Sequence, residues 1–224
     1  MDFSILEMKN WIKNDPAFSS ILNILANGDH LDAAHDLAHL YRVAHWALRL
    51  NEGKSAKKNV VAAALLHDLV NLPKNHPERA MAAVYSAEKA APLLRAAGFT
   101  EQDIAEISQA IRDHSYSRGQ TPSSHLGRVL QDADRLEALG AIGLMRVFST
   151  GARLGTKYFH TEDPWAKKRA RNDLEFSVDH FFTKLLLLEN SFQTERGKLE
   201  ARNRTEFLQT FLKQLAAEIG EEYP

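Results

Sequence analysis

His67 and Asp68 directly follow the run NVVAAALL and precede Leu69 and Val70, so the chain carries an imidazole and a carboxylate toward an apolar interior. Burying either group without a partner is costly, and coordination to a cation satisfies both. The dipeptide alone is weak evidence, because ten His and thirteen Asp in 224 residues give about 0.6 such pairs by chance and the chain has two, the other being His35-Asp36. Its apolar setting singles out the second pair; the competing role is a buried His bonded to a helix-capping Asp. Another cluster lies in DAAHDLAHLYRVAHWA at 32–47, where His35 and His39 fall four residues apart and share a helix face with Arg42 and Trp46. Two imidazoles and a guanidinium beside an aromatic ring suit the wall of a site for a metal and an anion, while a solvated polar face accounts for a His pair on its own. In QDADRLEALGAIG at 131–143, Asp132 and Asp134 flank an apolar stripe of Val129, Leu130, Ala133 and Leu136. Periodicity leaves open which acid faces a metal and which pairs with Arg128 or Arg135.

A chain with no cysteine builds neither a disulfide nor a thiolate metal site, so any metal must be held by His and carboxylates. Imidazoles and carboxylates on separate helices suit a borderline to hard divalent ion in octahedral geometry: Mn²⁺, Mg²⁺, Fe²⁺, Co²⁺ or Ni²⁺, with Zn²⁺ less distinctive.

The elements that position these groups read as helices throughout. Phe3, Leu6 and Trp11 start a pattern that Asn14-Asp15-Pro16 stops, and Phe18 to Leu25 form another that Asn27-Gly28 ends. A long helix is expected from about Leu31 to Leu50 and a buried one through Asn59–Leu69, ending at the Pro73 loop. Pro77 opens a helix that stops at Gly98, and Thr100 caps one running through Ile111. His114–Ser124 reads as a loop. The helical pattern then resumes at Leu126 and runs on through VLQDADRLEALGAIGLMRVF, with Gly140, Ala141 and Gly143 allowing close approach of another helix. Gly151–Pro164 reads as irregular, and Phe176–Leu188 and Leu199–Ile219 as further amphipathic helices. The expected fold is a single all-α domain over 1–224 with about eight to ten helices. With 44% hydrophobic and 25% charged residues the chain is an ordinary globular protein, and 28 Lys plus Arg against 29 Asp plus Glu give no footprint for duplex nucleic acid or anionic lipid. MDFSILEMKNWIKND has no apolar leader core, and the longest apolar run, VVAAALL at 60–66, falls short of the roughly 20 residues of a membrane span, so a cytoplasmic location is expected.

Together these segments resemble the HD-domain metal-dependent phosphohydrolases, whose pattern is His, then His-Asp, then Asp on helices of an all-α fold. AHDLAHLYRV resembles the family's first segment and puts His39 at its ligand position, AALLHDLV places His67 and Asp68, and DADRLEALGAIGL places Asp134, with Asp132 a supporting acid beside it. KNHPERA at 74–80, Ser86 and HSYS at 114–117 look like a bacterial subgroup of uncharacterised or nucleotide-acting members. Leu126 stands where that subgroup often has an acid, and no role carries over to it. The resemblance covers nearly the whole chain and implies a core at about 30–150 with the C-terminal helices packed on it.

It further implies hydrolysis of a nucleotide or other small phosphorylated metabolite by a metal-activated water, with His39, His67, Asp68 and Asp134 holding a divalent cation, Mn²⁺ favoured. Asp68 is the candidate general base and His35 the alternative. Lys74, Arg79, His114 and Arg118 are candidates to neutralise substrate phosphate, against a bland reading as loop charge. Trp46, Tyr85 or Tyr116 could stack a base, with packing as the alternative. The expected reaction is pyrophosphate release from a nucleoside triphosphate. The alternatives are hydrolysis of a monophosphate, a cyclic nucleotide or a guanosine alarmone, and a nucleotide-sensing module with little turnover. Neither duplex nucleic acid nor membrane is an expected partner, and a monomer or homodimer is expected. His160 and His180 lack ligand spacing and read as surface or core residues.

Overall fold

Short-range hydrogen bonds written in the sequence set several helix ends. Ser4 and Glu7 form a reciprocal capping box, as do Thr100 and Asp103, each satisfying backbone N–H groups that an unstarted helix leaves bare. The protein is described by a computed structural model over residues 4–26, 37–72, 76–115 and 121–224. Its helices are α1 (Ile5–Asn14), α2 (Pro16–Ala26), α3 (Leu37–Asn51), α4 (Lys57–Leu66), α5 (Ala82–Ala96), α6 (Glu101–Asp113), α7 (His125–Leu136), α8 (Gly140–Leu154), α9 (Asp179–Thr183) and α10 (Glu195–Ile219). Short 3-10 segments occupy Arg79–Met81 and Leu185–Ser191. Among the described residues there are ten α-helices and no strand, so the fold is all-α. No helix among them is long and apolar enough to cross a membrane.

The chain divides into two compact units, Met1–Asp134 and Arg135–Pro224. In the first, α4 is the central element, with every residue from Asn59 to Leu66 buried. A helix that is apolar all round must be surrounded, and α3, α5 and α6 pack on it, with Ala62, Ala63 and Ala64 keeping its girth small. The α1–α2 pair is tied to the start of α4 by the Lys57 ammonium, 4.0 Å from the Trp11 ring centre, and by Lys58 Nζ, 2.9 Å from Asp15 Oδ2. His125 Nε2 lies 3.2 Å from Asn51 O, and the Gln131 amide donates to Asp113 O at 3.2 Å, anchoring α7 to the ends of α3 and α6. In the second unit, α8 packs on α10. Phe181 stacks on Phe211, and Arg169 clamps the buried Asp179 with two bonds of 2.6 and 2.8 Å.

The structure departs from the sequence reading in five places. Pro77 does not open an α-helix, because α5 begins only at Ala82, after the 3-10 turn Arg79–Met81. The pattern resuming at Leu126 is two helices, because the helical backbone is broken at Leu139, in extended conformation, and Gly140, at φ +65°. Gly151 lies inside α8, which ends at Gly155 in the left-handed region, so irregular chain begins later than expected. The buried helix expected to reach Leu69 stops at Leu66. Phe176–Leu188 yields only the five-residue α9 and part of a 3-10 segment. The start of the helix expected at Leu31 lies outside the described residues.

Gly143 is small for a reason other than helix approach: a Cβ there would sit 2.2 Å from the Ala138 carbonyl oxygen across the turn. Gly143→Ala is therefore expected to destabilise the protein by about 1–3 kcal/mol, read as a lower urea midpoint at unchanged m-value.

Candidate metal centre

The α-helical ladder of α4 runs out at Leu66, and His67 follows as the capping residue. Its Nδ1 lies 2.8 Å from Ala64 O; a carbonyl only accepts, so the proton is on Nδ1 and the Nε2 lone pair points away from the helix. One bond thus satisfies an orphan carbonyl at the helix end and fixes the tautomer. His114 repeats the device at the end of α6, with Nδ1 2.6 Å from Ile111 O. The negative ends of two helices, both favourable to a cation, meet here, and the His67 and His114 rings are 5.0 Å apart.

α3 brings His39 to the same place, fully buried, its ring 5.4 Å from that of His67. α7 brings Asp134, whose Oδ1 is 3.7 Å from both His39 Nε2 and His67 Nε2. Asp68 closes the other side, with Oδ2 3.5 Å from His67 Nε2 and Oδ1 3.9 Å from His114 Nε2. Two overlapping sets of donor atoms result, His39–His67–Asp134 and His67–Asp68–His114, each lying within 4.8 Å and sharing His67.

These separations are long for hydrogen bonds and right for donors around one ion, since ligands at about 2.1 Å from a cation stand roughly 3 Å apart at right angles and roughly 4 Å apart when opposite. His67 Nε2 is buried and makes no hydrogen bond. Burial alone would drive its pKa down, yet the carboxylates of Asp68 and Asp134, with the Ala64 carbonyl, raise it to about 9. Asp134 shows the reciprocal effect: burial pushes its carboxyl up, but His67, His39 and His114 hold it well below the usual carboxylate value. The centre demands positive charge at His67 Nε2, and a divalent cation bound by imidazoles and carboxylates fits that demand.

His39, His67, Asp68 and Asp134 are therefore brought together, and His114, expected at the substrate phosphate, stands among them. Asp132, on the same helix, is fully buried, whereas Asp134 is partly exposed. Arg128 donates to Ser123 O at 2.9 Å and Arg135 to Ser191 O at 2.5 Å. Arg79 donates through Nη1 to Asn71 Oδ1 at 2.7 Å and to Leu72 O, in the segment leaving His67-Asp68. Ser86, buried on α5, bonds the backbone of the same segment, a contact that no periodicity signals. His35, Lys74, Arg118 and Tyr116 lie outside the described residues. Of the aromatic candidates, Trp46 has the Arg49 guanidinium 4.8 Å from its ring centre, and the Tyr85 hydroxyl donates to Glu78 at 2.9 Å. His160 Nδ1 accepts from the Asp163 backbone N–H, and His180 lies 2.8 Å from Asp173, so both serve their own loops.

Comparison with known proteins bears on the same segment. The HD domain family model matches residues 36–139, a span that contains all four converging residues. YpgQ of Bacillus subtilis (strain 168) is 30% identical over 192 residues, covering 84% of this chain and 85% of its own. The crystal structure of Bacillus subtilis YpgQ in complex with ADP has a TM-score of 0.69 at 28% identity, covering 91% of this chain and 97% of that one. A predicted HD superfamily hydrolase from an uncultured Thermotogales bacterium has a TM-score of 0.62 at 29% identity, covering 94% and 98%. With sequence, fold and relatives in agreement, the chain belongs to the HD-domain superfamily of metal-dependent phosphohydrolases.

Proposed function

We propose that this protein is a nucleotide pyrophosphohydrolase that releases pyrophosphate from a nucleoside triphosphate, with Mn²⁺ held by His39, His67, Asp68 and Asp134. The observation that carries the reading is the meeting of His39 Nε2, His67 Nε2 and Asp134 Oδ1 at separations of 3.7 Å, with Asp68 against the same His67 nitrogen. The ADP bound by the relative YpgQ supports a nucleotide as the ligand class. When bound, the cation lowers the pKa of water toward neutrality and polarises a phosphoryl oxygen.

Asp68 spans two imidazoles with its two oxygens and is placed to accept a proton from the attacking water, with His35 the alternative. Burial and the neighbouring His67 pull the His114 imidazole below its ordinary value, so at neutral pH it stays neutral, with its proton on Nδ1 toward Ile111 O and its Nε2 lone pair on the side of Asp68. Arg79, with Lys74 and Arg118, supplies positive charge for the phosphate oxygens. The test is phosphorus NMR of a nucleotide panel incubated with Mn²⁺. The expected products of a nucleoside triphosphate are the monophosphate and pyrophosphate; orthophosphate as the first product, or bound nucleotide without turnover, contradicts the reading.

Cation binding has a pH dependence whose sign follows from His67. Ligation needs the neutral imidazole, and in the cation-free protein the proton stays on until about pH 9. Lowering the pH below that value makes the proton a competitor, so apparent Mn²⁺ affinity is expected to fall by about tenfold per pH unit. Calorimetric titrations at pH 6.5 and pH 8 check this, and equal affinities at the two would contradict it.

A further inference from the structure

Beyond His67 the backbone has no helical ladder to hold it, because α4 ends at Leu66, yet Asp68 must keep its place against two imidazoles. Two side chains from elsewhere in the first unit grip the segment that follows. Ser86 on α5 is fully buried, accepts a hydrogen bond from Val70 N at 3.0 Å and donates to Val70 O at 3.4 Å. One hydroxyl thereby engages both backbone polar groups of Val70. The other buried residues of α5 are Ala83, Ala87, Ala90 and Leu94, so a hydroxyl there is an exception in an otherwise apolar face. Arg79, from the 3-10 turn, reaches the next two residues, donating through Nη1 to Asn71 Oδ1 at 2.7 Å and to Leu72 O.

We propose that Ser86 and Arg79 are positioning residues that clamp Val70–Leu72 from two sides and so hold Asp68 at the metal centre. The proposal rests on the reading of His39, His67, Asp68 and Asp134 as a cation site. It gives Arg79 a task distinct from touching substrate, one that operates in the substrate-free protein. The two explanations separate cleanly. A phosphate contact has no effect on cation affinity when no nucleotide is present, and a bare electrostatic effect has the opposite sign, since removing a positive charge near the centre favours a second cation. Only a clamp makes cation binding weaker when the guanidinium is lost.

The experiment is calorimetric titration of Mn²⁺ into the metal-free full chain, without nucleotide, for the parent, Ser86→Ala, Ser86→Thr, Arg79→Gln and Arg79→Lys, with melting curves of each metal-free protein. Loss of groups that orient ligands from behind lowers metal affinity by roughly 10–100-fold, and Ser86→Ala and Arg79→Gln are each expected to weaken Mn²⁺ binding by about tenfold. Arg79→Lys weakens it similarly, because a point ammonium does not reproduce the two-acceptor geometry of the guanidinium, while Ser86→Thr keeps the hydroxyl and restores affinity. The metal-free melting temperature of Arg79→Gln stays close to that of the parent. Should Ser86→Ala fail to fold, the Arg79 pair decides. Unchanged or tighter Mn²⁺ binding in either folded variant overturns the clamp while leaving the cation site intact, whereas a parent that binds no Mn²⁺ overturns both.

Discussion

Asp68→Asn is expected to lower kcat for the proposed nucleoside triphosphate hydrolysis by about 10²–10⁴-fold, the range a positioned proton acceptor contributes. The substitution is isosteric, so the turn after α4 keeps its shape, but it removes the charge 3.5 Å from His67 Nε2 and the oxygen facing His114. Both suggested duties of Asp68, holding the cation and accepting a proton, end with the carboxylate. Raising Mn²⁺ to saturation separates them: it restores occupancy and leaves the proton-transfer defect. A steady-state assay at several Mn²⁺ concentrations makes the measurement, and turnover within a few-fold of the parent would remove Asp68 from the chemistry.

The other large effect is on stability. A ligand that binds only the folded chain, at a hundred times its dissociation constant, stabilises it by about 2.7 kcal/mol. For a domain of this size that raises the melting temperature by about 5–10 °C. Mn²⁺ should therefore shift the melting curve upward, a chelator should reverse the shift, and His67→Ala should abolish it, because His67 belongs to both donor sets. A His67→Ala protein that is stabilised as strongly as the parent would place the cation elsewhere.

Much of the metal centre was legible because one stretch is extreme. NVVAAALL is apolar on every side, which forces a central helix, and His67 at its end is carried into the interior with Asp68 half-buried beside it. The Thr100–Asp103 cap was readable for an equally local reason. Asp132 and Asp134 were a different matter: two residues apart on a helix they point about 200° apart, Asp132 is fully buried while Asp134 meets the imidazoles, and only the docking of α7 decides which acid does so. The family resemblance chose Asp134, and that is the acid found 3.7 Å from both imidazoles.

In sequence His114 reads as a loop cation beside the site. Its place in the donor cluster depends on how α6 lies along α4, forty-seven residues away from His67 in sequence, and no local pattern encodes that packing. The bonds of Arg79 to Asn71 and Leu72 likewise arise from the path of the chain after α4, which composition does not describe. The break between α7 and α8 was hidden because the apolar pattern continues across it. Gly140 looked like a packing residue, whereas its positive φ is a backbone requirement that leaves no mark on periodicity.

The central claim is that His39, His67, Asp68 and Asp134 share one cation. Anomalous diffraction from crystals of the full chain grown with Mn²⁺ tests it most directly. The account predicts a peak about 2.0–2.3 Å from His39 Nε2, His67 Nε2 and an oxygen of each of Asp68 and Asp134. A peak bound by other residues, or none at saturating Mn²⁺, would contradict it.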